Sequence, residues 1–209
     1  RIAFLLLACV LQAGSAWAGE GGTVKGRVTY DGEPPAPQVQ KIAANHQKDC
    51  KAHGDVELDA LLVDKATKGI RYAMVRILDV KAPEPAQPFT PAEIDQVGCK
   101  FNPHVVIVPP NTSLTVKNTD KIGHNFRTTP LDAVNPPINR MMTGNEAQMI
   151  VKDKYLSDPE IIQVTCDIHP WMKSFLVVHD PRFAAVTGTD GSFEMKGVRG
   201  QIVKTGTGR

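Results

Sequence analysis

The sequence predicts an all-β protein, a sandwich or barrel built from many short strands. Short apolar or alternating runs recur between turn signals along most of the chain, and no stretch sustains the 3.6-residue period of an amphipathic helix. Gly 17 and Pro 16 among 209 residues supply the punctuation such a fold needs. Hydrophobic content of 42% and charged content of 22% are ordinary for a globular chain with a real core. A formal net charge of +2, without any Lys/Arg run, gives no support for a nucleic-acid or other polyanionic partner.

The first element is a targeting signal. Arg1 precedes an apolar run over 2–11, and Ala16-Trp17-Ala18 has the small-x-small pattern cut by signal peptidase. The run is too short to span a bilayer, which takes about 20 apolar residues. Residues 1–18 therefore read as a signal peptide, the mature chain as lacking a membrane span, and the destination as periplasmic or secreted, where disulfides persist.

Residues 23–30 alternate as a strand and run into the turn Asp31-Gly32. Residues 57–63 and 71–80 read as two strands joined by a polar turn, together forming a hairpin. The segment 81–91 carries prolines at 83, 85, 88 and 91 and reads as a loop or extended connection. Residues 104–108 form a short apolar strand, and 113–118 an alternating one with Leu114 and Val116 on one face. The stretch 121–149, broken by Asn135-Pro136-Pro137 and Thr143-Gly144-Asn145, reads as loop. Strands over 160–165 and 174–178 flank a sulfur-rich loop, and 184–187 with 192–195 read as a closing hairpin around Asp190-Gly191.

Cysteine usage singles out that loop. Without Cys9, lost with the signal, Cys50, Cys99 and Cys166 remain. An odd number in an exported chain implies one thiol with another job. Cys50 and Cys99 most simply pair as a disulfide, although His46, Cys50 and His53 could instead form a metal cluster. Cys166 is then left in Cys166-Asp167-Ile168-His169-Pro170-Trp171-Met172, where thiolate, imidazole and thioether recur every three residues. Cys and Met sulfur favour copper, and two histidines, one cysteine and a weak axial methionine make up a blue-copper electron-transfer site. The second histidine with a matching context is His124, 42 residues before Cys166. Cys-x-x-His also serves zinc, and a plain packed loop with a free thiol is the simplest alternative. His104, after Pro103, reads as structural.

Four stretches together resemble a cupredoxin: Phe101-Asn102-Pro103-His104 with Val105-Val106-Ile107, then 114–120, then His124-Asn125-Phe126, then Cys166 to Met172. The compact ligand loop is most similar to that of amicyanin. The wider frame, with 22–28 opening, 96–104 in the middle and 186–193 closing, is similar to secreted cupredoxin-like proteins of the methylamine utilization type. Its outer strands resemble carboxypeptidase regulatory-like β modules. The resemblance implies a Greek-key β-sandwich divided into N-terminal strands with a Pro-rich connection (19–95), a copper-binding core (96–180), and a C-terminal hairpin and tail (181–209). The family's closing Gly-Tyr strand has no counterpart in 199–209, so the tail reads as truncated or altered.

The resemblance further implies one type 1 copper ion on His124, Cys166, His169 and Met172, the last as the long axial contact. Asn125 would tie the two ligand loops together, Pro170 would remove a backbone donor beside the thiolate, and Trp171 would shield the site. Single electrons would pass, through an exposed edge of His169, to a transient redox partner such as a cytochrome or dehydrogenase. A copper-delivery module without electron transfer and a passive β-sandwich binding domain are the competing functions. No Ser/His/Asp arrangement or multinuclear histidine set supports an enzyme.

Overall fold

The computed structural model describes residues 21–42, 44, 46, 50, 55–78, 80–81, 88–145, 147–198 and 201–202. The expected signal peptide and His53 lie outside them. Nine strands form the centre: β1 (Ala92–Val97), β2 (Lys100–Asn102), β3 (Val105–Val108), β4 (Leu114–Asn118), β5 (His124–Pro130), β6 (Asn139–Met142), β7 (Ala147–Val151), β8 (Glu160–Thr165) and β9 (Lys173–Val178). One sheet of five strands runs β3-β9-β8-β5-β6, and one of four runs β7-β4-β1-β2. Each is mixed: β3 lies parallel to β9 and β4 parallel to β1, while the other neighbours are antiparallel.

The two sheets share one apolar interior. Ile94, Leu114 and Val116 from the smaller sheet meet Val108, Phe126, Ile162, Val164 and Leu176 from the larger, all nearly without solvent contact. The period-2 alternation read over 113–118 is the observed burial of β4, in which Leu114, Val116 and Asn118 face in and Thr115 and Lys117 face out. This is the all-β sandwich expected, with two short 3-10 turns as the described helical elements that carry defined bounds.

Several expectations need correction. The stretch 121–149 is not a loop but contains β5, β6 and β7. Its strand pattern is hidden because β5 turns the polar His124, Asn125 and Thr128 inward, and because apolar Met141 and Ile150 face out on β6 and β7. The 57–63/71–80 hairpin survives only as Leu62–Val63 against Ile70–Arg71, closed by Asp64 N–H donating to Gly69 O at 2.9 Å. The strand Met74–Arg76 pairs instead with Ala184–Val186. The closing strands likewise do not pair with each other. Ser192–Val198 takes Gly22–Arg27 as its antiparallel partner, so an early and a late strand of the described residues are knitted into one lobe. Gly191, at φ +79°, lets the 188–191 turn press on Gly69 and Val28 O, where a Cβ would collide with backbone.

Glu160 is an inward carboxylate on β8 with 1% exposure. It accepts from Asp132 N–H at 2.6 Å, Asn135 N–H at 2.9 Å and Asn135 Nδ2 at 2.9 Å, pinning the β5–β6 connection to the sheet. Burial pushes its pKa up, but the hydrogen bonds, those from Asn135 foremost, outweigh burial and hold it below the ordinary value.

Candidate metal centre

His124 opens β5, and Cys166 directly follows β8 at the same end of the larger sheet. The connection from Cys166 to β9 is a tight loop: Met172 N–H donates to His169 O at 2.9 Å, and Cys166 N–H to Met172 O at 3.3 Å. The loop therefore folds His169 back over Cys166. His124 Nδ1 and His169 Nδ1 lie 2.8 Å apart, and Cys166 Sγ lies 4.0 Å from the former and 3.8 Å from the latter. A point equidistant from these three atoms is about 2.1 Å from each, close to the ≈ 2.0–2.1 Å and ≈ 2.3 Å of metal–imidazole and metal–thiolate bonds. Two imidazoles and a thiolate are a donor set for a borderline or soft ion. On geometry and chemistry, the three residues fit copper.

All three are buried, His124 at 0% and Cys166 and His169 at 2% exposure. Met172, the last residue of the loop, is buried and belongs to the core, and Pro170 is exposed. Cys166 is a free thiol, and Cys50 and Cys99 form a disulfide.

Asn125 lies between the two ligand-bearing segments. Its Oδ1 accepts from Asp167 N–H at 2.6 Å, and its Nδ2 donates to Asp167 Oδ2 at 3.0 Å and Asn139 Oδ1 at 2.9 Å. Asp167, beside Cys166, also accepts from Arg127, and that guanidinium first, then Asn125 and Asn139, holds its carboxyl below the usual range. Trp171 donates its indole N–H to Cys99 O at 3.1 Å, and its ring sits 5.2 Å from that of His169.

Asp120 was not singled out by sequence reasoning, yet it organises the site. Its Oδ2 lies 2.9 Å from His124 Nε2, and the carboxylate also accepts from Gly98 N–H at 2.7 Å and Cys99 N–H at 2.8 Å. A carboxylate on the far nitrogen fixes the tautomer of a ligating histidine and raises its basicity. Here it turns His124 Nδ1 toward Cys166. The signal available was an aspartate four residues before the histidine in an Asn-Thr-Asp turn.

The exposed edge expected for His169 is not found. His169 is 2% exposed, with the ring of His46 standing 5.1 Å from its own and 5.7 Å from that of Trp171. His104 stays apart from the ligands, packed on Tyr72 and Phe175. Burial lowers its pKa, partly offset by Asp59.

No protein-family model and no curated protein matches the chain. Solved structures do resemble it. A copper-containing nitrite reductase from Thermus scotoductus SA-01 aligns at 22% identity and TM-score 0.36, over 49% of this chain and 26% of its own. A reduced Cu(I) amicyanin variant aligns at 18% identity and TM-score 0.36, over 45% of this chain and 87% of its own. A purple cupredoxin from Nitrosopumilus maritimus aligns at 17% identity and TM-score 0.33, over 42% and 99% respectively. At TM-scores this low, the functional reading rests on the residues of the site.

Proposed function

We propose that this is an exported, non-enzymatic type 1 copper protein of the cupredoxin kind that carries single electrons between protein partners. The observation that supports it most is the convergence of His124 Nδ1, His169 Nδ1 and Cys166 Sγ, all from buried residues, around one point. Copper bound there would supply one-electron redox chemistry, tuned by a weak axial contact from Met172.

The chain's own residues supply rigidity and dryness. Asp120 orients His124, Asn125 ties the β5 end to the ligand loop, and Trp171 with His46 excludes water. A site held this firmly changes little between oxidation states, which favours fast electron transfer. In the same reading, a periplasmic or secreted chain of the methylamine utilization type uses 96–180 as its copper core. The segments 19–95 and 181–209 flank that core, and the partner is a cytochrome or dehydrogenase met transiently.

The covered edge of His169 favours one second reading, a module that holds or delivers copper without passing electrons. Cu(II) loading separates the two. The first expects an intense thiolate-to-copper band in the visible that Cys166→Ser removes. A colourless tight complex would favour delivery, and no tight binding at all would leave a passive β-domain.

A further inference from the structure

The metal centre makes no use of His104. This residue is 8% exposed, and its Nδ1 has no hydrogen-bond partner among the described residues. A buried nitrogen left unsatisfied costs about 1–3 kcal/mol. His104 lines a cavity of about 310 Å³, shared by residues of the Val39–Lys41/Asp55–Glu57 ladder and of β8 and β9. Asp59, in the same wall, places its Oδ2 3.8 Å from His104 Nδ1. That gap is too wide for a hydrogen bond, but one oxygen about 2.8 Å from each atom spans it. The charges around the cavity balance, Glu57 and Asp59 against Lys100 and Lys173. Lys100 Nζ stands 3.4 Å from Asp59 Oδ2 and donates to Glu57 O at 3.1 Å. Burial lowers the pKa of His104, so its ring is neutral at pH 7. Val56, Leu58, Trp171 and Phe175 supply the apolar wall.

We propose that this cavity binds a small, uncharged aryl hydroxyl compound, its hydroxyl between His104 Nδ1 and Asp59 and its ring against the apolar wall. A hydroxyl both donates and accepts. In one tautomer of His104 it accepts from Nδ1–H and donates to Asp59; in the other it donates to Nδ1. An ammonium or a metal ion would meet Lys100, and a carboxylate would meet Asp59, each adding a charge that the balanced wall leaves unpaired. The volume lies at the low end of the roughly 300–1,000 Å³ of small-molecule sites, which suits one or two rings. Aromatic rings pack on Trp and Phe edge-on or offset, with a gain beyond burial alone. Trp171 and Met172 of the wall also belong to the loop that carries Cys166 and His169, so an occupant touches that loop. Binding itself requires no metal, and the proposal stands apart from the copper reading.

The test is a calorimetric titration of the metal-free full chain with p-cresol, and with 4-methylanisole, p-toluate and 4-methylbenzylammonium as comparisons. p-Cresol should bind saturably. Its methyl ether, which cannot donate, should bind about 10-fold more weakly. His104→Phe keeps a ring against Tyr72 and Phe175 and should bring the two affinities together, which loss of a merely structural histidine would not do. No saturable binding, equal affinity of the wild type for cresol and its ether, or a preference for either ion overturns the proposal. If near-UV circular dichroism shows His104→Phe unfolded, the wild-type ligand series decides alone, since each of its outcomes supports or refutes the site. The two readings also fail separately. Cresol binding by a chain that gives no visible copper band refutes electron transfer and supports this cavity, whereas a blue protein that ignores cresol does the reverse.

Discussion

The sandwich centre and the end lobe, which joins Gly22–Arg27 to Ser192–Val198, are built from the same kind of element to different depths. Strands β4 and β8 alternate strictly between buried and half-buried positions and run five and six residues. Apart from Gly22–Arg27 and Ser192–Val198, the strands of the end lobe are two or three residues long. Val24, Val75 and Val186 there are only half-buried. The proposed ligand residues occur in the first region, on a strand end or on a loop clamped between two long strands. Rigidity sits where the chemistry needs it. The end lobe frames the molecule, and the His46 ring lies against His169 and Trp171 at the site.

The contrast should break most visibly at Phe126, which is 0% exposed and meets Phe101 edge-on across the sheets at 6.1 Å. Phe126→Ala should cost about 3–5 kcal/mol in a chemical-denaturation curve. It is two residues from His124, so it should also blur the copper spectrum. A cost under about 1 kcal/mol would mean that the sheets do not pack as one core.

Glu160 comes next. Replacing it with Gln removes a charged acceptor from three N–H donors, at about 2 kcal/mol at neutral pH. Its folded pKa lies below the unfolded value of about 4.3. Its contribution is therefore complete above that value and is lost as pH falls through the folded pKa. Stability of the wild type should fall across that acid range, and Glu160→Gln should flatten this part of the profile. An unchanged slope would assign the acid sensitivity elsewhere.

Asp120→Asn should act on the site rather than the fold. Loss of the carboxylate behind a ligating histidine typically lowers metal affinity 10–100-fold, readable by competition with a chelator. Because Asp120 also holds the Cys99 N–H, the control is the intact disulfide, confirmed by thiol titration. Unchanged affinity would reduce Asp120 to a turn residue.

These sites differ in how far the sequence exposes them. The ligand loop is legible because sulfur and imidazole at three-residue spacing have few other uses in an exported chain, and the odd cysteine marks it independently. Strands 105–108, 114–118, 160–165 and 173–178 are legible because most of their inward residues are apolar, with Asn118, Glu160 and Ser174 as the polar exceptions. Strand β5 is not, because its inward positions carry the site itself: His124 and Asn125 replace the apolar residues that announce a strand. Strand β1 hides for the same reason, with Gln96 fully buried beside Ile94. The pairing of the chain ends is illegible because short strands leave the choice of partner to tertiary contacts. The covering of His169 depends on a ring from a segment more than a hundred residues away, and no local pattern carries that.

The smallest effect should fall in the end lobe, and it bears on whether that lobe and the copper core are energetically separate. Val24 pairs with Met195 between the first and last long strands and is only half-buried. Val24→Ala removes two methyl groups from a partly solvated position. The expected cost is about 0.5–1 kcal/mol, well below that of a filled core site. If the lobe merely frames the sandwich, the visible copper band should keep its position and intensity. A shift of that band would show that strain in the 22–27/192–198 ladder reaches the site. The connecting route would be the lobe's own pair Met74–Arg76 and Ala184–Val186, the second of which follows β9 in sequence.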